Sequence, residues 1–136
     1  MKRSILFSVI GLAALASGCA TSPQGMREDL ASRRVFTVQE GYQLVLKRLV
    51  DNHQKCAMGP LLPIGQVIND VQNYPDLRMA TIVRGASGFG SQTHQVFDIK
   101  ETAPNRTEVS FWMKMRTDHW AREYQRVAEG STSCPA

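Results

Sequence analysis

The most regular hydrophobic pattern in the chain lies in the segment VFTVQEGYQLVLKRLVDNHQKC, residues 35 to 56. Its inward-facing residues recur at helical spacing and form one stripe, which comprises Tyr42, Val45, Leu46, Leu49, His53 and Cys56. Thr37 and Glu40 have the spacing of a capping box, in which each side chain satisfies a free backbone donor of the other residue. The pattern therefore predicts a helix that begins at about Val38.

Glycine and proline punctuate the stretch that follows this helix. Gly59 and Pro60 predict its end, and the segment from 66 to 72 predicts a short strand. Further strands are predicted in RMATIVR, HQVFDIKE and TEVSFWMKMR, of which the last alternates most regularly. In that segment one face carries Val109, Phe111, Met113 and Met115, and the other carries Glu108, Ser110, Lys114 and Arg116. The intervening GASGFGS and APNR are typical of turns, so an antiparallel meander follows.

A second helix is predicted from His119 to Glu129, with Asp118 as its N-cap and Gly130 at its end. Its apolar stripe consists of Trp120, Tyr124, Val127 and Ala128. The two helices should lie on the apolar face of the meander, because no other surface is large enough to bury both stripes. We therefore predict an α+β fold: a single small domain in which an antiparallel meander of three to four strands packs against an N-terminal and a C-terminal helix.

The start of the chain has a different pattern. Lys2 and Arg3 precede an apolar run from Ile5 to Ala16, and the small pair Ser17-Gly18 ends it before Cys19. Two cations followed by such a run are typical of a secretion signal, and favour export over a buried core helix. The run is too short to span a bilayer, which takes about 20 apolar residues.

The cysteine refines this prediction. The residues Leu15, Ala16, Ser17, Gly18 and Cys19 resemble the lipobox of bacterial lipoproteins. The resemblance implies cleavage between Gly18 and Cys19, a diacylglyceryl thioether on Cys19, and acylation of the new amino terminus, typically with palmitate. Several acyl chains hold a protein firmly at a membrane, because each buried methylene contributes about 0.8 kcal/mol. Ala20 replaces the aspartate that the family uses for retention at the inner membrane, so the resemblance favours the periplasmic face of the outer membrane.

Signal removal also changes the domain and charge assignments. Loss of residues 1–18 leaves 118 of the 136 residues, enough for one domain. We predict a flexible tether over residues 19–34, which are polar and small, and the α+β domain over residues 35–136. Because Lys2 and Arg3 are removed, the formal charge falls from +4 to +2, and we predict no nucleic-acid partner.

The cysteine count is consistent with an exported lipoprotein. If Cys19 carries lipid, Cys56 and Cys134 remain as a pair in an oxidising compartment, where a disulfide forms and persists. The order of anchor, helix, meander, final helix and terminal cysteine also resembles small, functionally unassigned envelope lipoproteins of Gram-negative bacteria.

Candidate chemistry is sparse. Gly85, Gly88 and Gly90 do not fit a dinucleotide or P-loop motif, and Ser87 lacks the spacing of a hydrolase elbow. The chain's histidines, at positions 53, 94 and 119, have no partner at metal-binding spacing. We therefore predict no catalytic residue, no metal and no cofactor.

One surface feature points to a partner. Trp112 falls on the polar face of the most regular strand, near Lys114 and Arg116, and interfaces favour such residues. The alternative is that the second helix or the tether covers Trp112. Two functions remain: a non-catalytic binding or scaffold module that engages envelope protein or peptidoglycan, or a small envelope hydrolase, which would require a cleft with a nucleophile or a metal.

Overall fold

The computed structural model describes residues 22–57, 66–88 and 90–136. Its helices are α1 (Pro23–Glu28), α2 (Tyr42–Ala57) and α3 (Thr117–Glu129). Its strands are β1 (Arg33–Val38), β2 (Gln66–Tyr74), β3 (Met79–Gly88), β4 (Gly90–Ala103) and β5 (Arg106–Trp112). The predicted α+β class with an antiparallel sheet is confirmed, but the sheet has five strands instead of three or four. The signal segment, the cleavage site at Gly18 and Cys19, and the Gly59–Pro60 helix stop lie outside the described residues.

All neighbouring strands are antiparallel, in the order β1-β5-β4-β3-β2. The last four strands form the predicted meander, including the strand predicted over residues 66 to 72. The first strand crosses over to pair with the last, so β1 and β2 are the two edges of the described sheet. The turn at APNR is confirmed, with Asn105 in the left-handed region at φ 55°.

The sequence prediction for residues 35 to 41 is wrong. Thr37 does not cap a helix but pairs with Glu108 inside the sheet, and α2 begins only at Tyr42. Val35, Phe36 and Val38 suit an extended strand, and a six-residue pairing with β5 provides more hydrogen bonds than one extra helical turn. The carbonyl of Gly41 instead accepts the first amide bonds of α2.

The core lies between the sheet and the two long helices. Phe97 and Phe111 extend from the sheet with no solvent exposure and pack against the ring of Tyr124 on α3. The helical face of α2 is buried as predicted, at Tyr42, Val45, Leu46, Leu49 and His53. On α3 the buried residues are Ala121, Tyr124, Val127 and Ala128, with Trp120 partly buried against them.

The prediction for the start of α3 also needs correction. Its N-cap is Arg116, in a left-handed conformation with φ 52°, and its side chain makes no capping bond. Asp118 forms an ion pair with Arg34 of β1 instead. Gly130 ends the helix as predicted, with φ 119°. A long-range pair between two elements here replaces the local cap that the sequence indicated.

The predicted disulfide is present: Cys56 and Cys134 are bonded across a sequence separation of 78 residues. Two hydrogen bonds hold the same tail against α2, from the Asn52 amide to the Ser133 carbonyl at 3.0 Å and from the Lys55 ammonium to the Thr132 carbonyl at 3.0 Å. The segment after α3 is therefore fixed along the last turns of α2.

Candidate binding surface

The sheet has a second face, which the long helices do not cover. Because side chains alternate along a strand, this outer face carries the residues next to the core positions. They include Glu108, Ser110 and Trp112 of β5, Val96, Asp98 and Lys100 of β4, and Met79, Thr81 and Val83 of β3. The part of the outer face that no helix covers is open to a partner.

The short helix α1 covers part of the outer face. Met26 is fully buried and clusters with Val96 and Trp112. Arg27 makes two bonds to Asp98, of 2.9 Å and 2.7 Å, and the Thr81 hydroxyl donates to the same carboxylate at 3.1 Å. The hydrogen bonds from Arg27 to Asp98 raise the pKa of Arg27. A bidentate pair of this kind fixes orientation as well as distance.

This packing corrects the tether prediction and confirms the alternative for Trp112, in which the segment before the domain covers it. The segment from 22 to 34 is not a free tether, since it contains α1, a 3-10 turn at Leu30–Ser32 and the start of β1. Met26, one of its two large apolar residues, covers Trp112, so apolar packing as well as polar bonds holds the segment on the sheet.

Trp112 is consequently not an exposed contact residue. Only 6% of its surface is accessible, and the Arg33 guanidinium lies over its ring at 5.5 Å. Lys114 and Arg116 do remain exposed, beyond the end of β5. The alternation that predicted a strand to Arg116 fails after Trp112, and the Met113 amide donates to the Ser32 carbonyl at 3.2 Å.

The rest of the outer face is open. A shallow depression of about 530 Å³ lies between Arg27 of α1 and the region where β2 ends and β3 begins. Its lining includes Gln72, Tyr74, Leu77, Met79, Lys100 and Glu108. Tyr74 is 42% exposed and Leu77 is 64% exposed, and the Tyr74 hydroxyl donates to the Gln72 side chain at 2.8 Å. An aromatic ring, aliphatic groups and charges of both signs suit binding to an extended chain.

Sequence reasoning missed this depression because it is built from separate segments. Gln72 and Tyr74 belong to β2, and Lys100 lies on β4, with β3 between them. The only local signal is alternation. It continues past the predicted strand at 66 to 72 to the end of β2 and places residues 70, 72 and 74 on one face. The register of β2 against β3, which pairs Tyr74 with Met79, supplies the rest.

A buried polar cluster lies on the opposite, helix-covered face. Arg84 is 3% exposed, and its guanidinium donates to the Leu49 carbonyl at 2.8 Å and to the Asn69 side chain at 3.3 Å. It also lies over the Phe97 ring at 4.9 Å. Burial lowers the pKa of Arg84 to about 10, which leaves it charged at neutral pH. Among the described residues no carboxylate pairs with it, so carbonyl groups and aromatic faces compensate its charge.

The histidines do not converge. His53 is buried as predicted, His94 is exposed on β4, and His119 contacts the Ala136 carbonyl and the Trp120 ring. No group of three acidic, histidine or cysteine side chains in the described ranges is placed to hold a metal ion. Ser87 and the glycines around it lie within the β3–β4 hairpin.

His53 gives the fold a testable pH dependence. Burial, and then the charge of Arg84, lower its pKa from 6.5 to about 4. Between these two values the unfolded chain binds more protons, so stability falls as the pH drops. We expect the free energy of unfolding to be lower at pH 5 than at pH 8 by about 2 kcal/mol from this group, since one pKa unit is about 1.4 kcal/mol.

Urea denaturation of two single variants at both pH values checks this expectation. His53→Gln should lose this part of the pH dependence, and the matched change His94→Gln, at an exposed position, should retain it. Equal pH dependence in the two variants would show that His53 is not responsible.

Comparison with known proteins does not add a family. No protein-family model matches the chain, and a search of curated proteins gives no match. None of the helices in the described ranges has the length and apolar character that crossing a bilayer requires.

Proposed function

We propose that this protein is a lipid-anchored lipoprotein of the bacterial outer membrane, facing the periplasm, and that it acts there as a non-catalytic binding or scaffold module of the cell envelope. Acylated Cys19 would hold it to membrane lipid. Its partner would be envelope protein or peptidoglycan, bound on the open part of the outer sheet face.

Two observations support the anchor and the compartment. The first nineteen residues have the charge, the apolar run and the small residues before Cys19 that export and lipid attachment need. The bond between Cys56 and Cys134 agrees with an oxidising compartment such as the periplasm.

The open depression is the single observation that carries the binding role. Tyr74 and Leu77 expose apolar surface at its rim, Lys100 and Glu108 supply opposite charges, and the rigid Arg27–Asp98 pair forms its wall. Tyr74, Lys100 and Glu108 lie on paired strands of the sheet, so their backbone is already ordered before a partner binds, which favours binding. The described residues that line the depression include no histidine or cysteine, and serine is present only as Ser110 at its base.

Binding to purified peptidoglycan and photo-crosslinking in intact envelopes test this proposal. The native lipidated protein is compared with the double variant Tyr74→Ala, Leu77→Ser. We expect the variant to lose at least tenfold in bound or crosslinked material, because it removes the two most exposed apolar side chains of the depression, and a tenfold loss corresponds to about 1.4 kcal/mol.

The matched control is Leu44→Ser. Leu44 is 40% exposed on α2, the helix that packs on the other face of the sheet, and it does not line the depression. The control should bind like the native protein, and far-UV circular dichroism should show the same fold in all three. Undiminished binding by the double variant, or no binding by the native protein to either material, would contradict the proposed role of this surface.

A further inference from the structure

We infer that one end of the domain lies directly against the lipid headgroups, so that the protein is held in a fixed orientation. This anchor-side patch consists of Leu30, Arg33, Lys114, Met115 and Arg116. The inference rests on the proposed acylation of Cys19 and extends it, since it names the surface that contacts the membrane and the chemistry of that contact.

The first argument is the short distance to the anchor. Cys19 precedes Ser22, the first described residue, by three positions. Consecutive Cα atoms are 3.8 Å apart, so the two Cα atoms can be separated by no more than about 11 Å, whatever the path. Acyl chains on Cys19 would place that residue at the level of the headgroups. Ser22 would therefore lie within about one helix diameter of the membrane surface.

The second argument is that the chain is already fixed at Ser22. The Ser22 hydroxyl accepts the Gly25 amide at 3.0 Å, and its carbonyl accepts the Met26 amide at 3.0 Å. Met26 of α1 is buried against the sheet, and Arg27 makes two hydrogen bonds to Asp98. Because α1 is docked on the sheet, the anchor cannot be separated from the domain by a long spacer within residues 22 to 34.

The third argument is the exposed apolar surface beside α1. Leu30 and Met115 are each 74% exposed, more than any other large apolar residue described. They belong to segments that run side by side, since the Met113 amide donates to the Ser32 carbonyl at 3.2 Å. Leu30 lies two residues before Ser32, and Met115 lies two residues after Met113. Apolar side chains in this position can enter the headgroup and acyl boundary.

The fourth argument is charge. Arg33, Lys114 and Arg116 are exposed, and none takes part in an ion pair among the described residues. The Arg33 guanidinium donates to the Ser110 hydroxyl at 2.9 Å and lies over the Trp112 ring, so Lys114 and Arg116 are the less constrained of the three. Among the acids of the flanking segments, Asp118 is paired with Arg34. Asp29 accepts bonds from Ser32, and the charge of Lys114 adds to the lowering of its pKa. Cations flanking exposed apolar residues suit an anionic bilayer, where each contributes about 1 kcal/mol near the surface.

This orientation places the open depression away from the bilayer. The anchor-side patch adjoins the end of β5, and the depression lies where β3 begins. The end of β5 at Trp112 is level with Val96 of β4 and so with Val83 of β3. Four residues of β3, about 13 Å at 3.3 Å per residue, therefore separate this level from Met79. Tyr74, which pairs with Met79, would thus lie about 13 Å along the strands from the end of β5, on the side away from the anchor-side patch.

Photolabelling tests the inference. The native lipidated protein is placed in vesicles of phosphatidylethanolamine and phosphatidylglycerol that contain a phospholipid with a photoreactive group near its glycerol. Mass spectrometry then maps the labelled residues. We expect labels on peptides with Leu30 and Met115, and at least fivefold fewer on the peptide with Leu77, which is also exposed.

Two double variants, each with a single-residue control, test the apolar and the charged parts of the patch separately. Leu30→Ser with Met115→Ser should reduce labelling at the patch at least fivefold, and the matched change Leu77→Ser should leave it unchanged. Lys114→Gln with Arg116→Gln should reduce labelling in anionic vesicles but not in phosphatidylcholine vesicles, whereas Arg106→Gln, at the opposite end of β5, should have no effect.

The same mass spectra separate the possible failures. Uniform labelling, labelling centred on Leu77, or none on an acylated protein would overturn the inference and leave the anchor intact. Burial of the patch only in native envelopes, with none in vesicles, would assign it to a protein partner and also overturn the inference. A Cys19 without acyl chains would remove the proposed function, and the inference with it.

Discussion

Replacing both Cys56 and Cys134 by serine should lower the free energy of unfolding by about 4 kcal/mol, since a cross-link over a loop of this length restricts the unfolded chain strongly. The bond joins α2 to the segment after α3, across 78 residues. Without it, the bonds from Asn52 and Lys55 and the contact of His119 with the Ala136 carbonyl would hold the tail. Urea denaturation of the variant measures the loss.

Reduction of the native protein provides the matched control for the serine variant. Dithiothreitol should lower the urea midpoint of the native protein to that of the variant and leave the variant's midpoint unchanged. Equal midpoints for native protein and variant under oxidising conditions would show that the bond does not stabilise the fold.

Gly85→Ala should cost about 3 kcal/mol, because the added methyl group has no space and overpacking a rigid site is expensive. Its Cβ would lie 2.1 Å from the Gln92 carbonyl oxygen and 3.0 Å from the Gln92 carbonyl carbon. These atoms belong to the backbone of β4, so no side-chain rotation can relieve the contact. The position follows the register shift at Arg84 and Gly85, where β3 and β4 approach closely.

Gly41→Ala is the control for this substitution. A Cβ at Gly41 would meet only the Asn105 side chain, at 3.9 Å. Its expected cost is at most about 1 kcal/mol, since alanine is a poorer helix N-cap than glycine. Thermal unfolding of the two variants compares them directly. A loss at Gly85 no larger than the loss at Gly41 would contradict the close strand contact.

Local sequence patterns predicted the helices and strands in which regularly spaced apolar residues form one buried face. The stripe of α2 from Tyr42 to His53 and the alternation around Val109 and Phe111 both appear in the structure as buried faces. The Cys56–Cys134 bond was predictable because Cys19 had a different proposed use. The helix and the strand were predictable from the spacing of apolar residues within a short segment, and the disulfide from the number of cysteines.

The remaining features depend on contacts between distant segments. Thr37 and Glu40 form a plausible cap in isolation, but pairing of Thr37 with Glu108 outcompetes it. Asp118 is drawn to Arg34 for the same reason. The sequence left open whether Trp112 is exposed or covered, and the residue that covers it, Met26, lies in a segment whose composition suggested a flexible tether. The open depression combines β2, β3 and β4, and no local window contains all of its residues.

Intact-mass and fragment spectra of the protein purified from its native membrane test the central claim, the lipid anchor, most directly. The account predicts a chain that begins at Cys19, with a diacylglyceryl group on the sulfur and an acyl group on the amino terminus, and no residue from Met1 to Gly18. A chain with an unmodified Cys19 thiol, or one that retains the first eighteen residues, would contradict it.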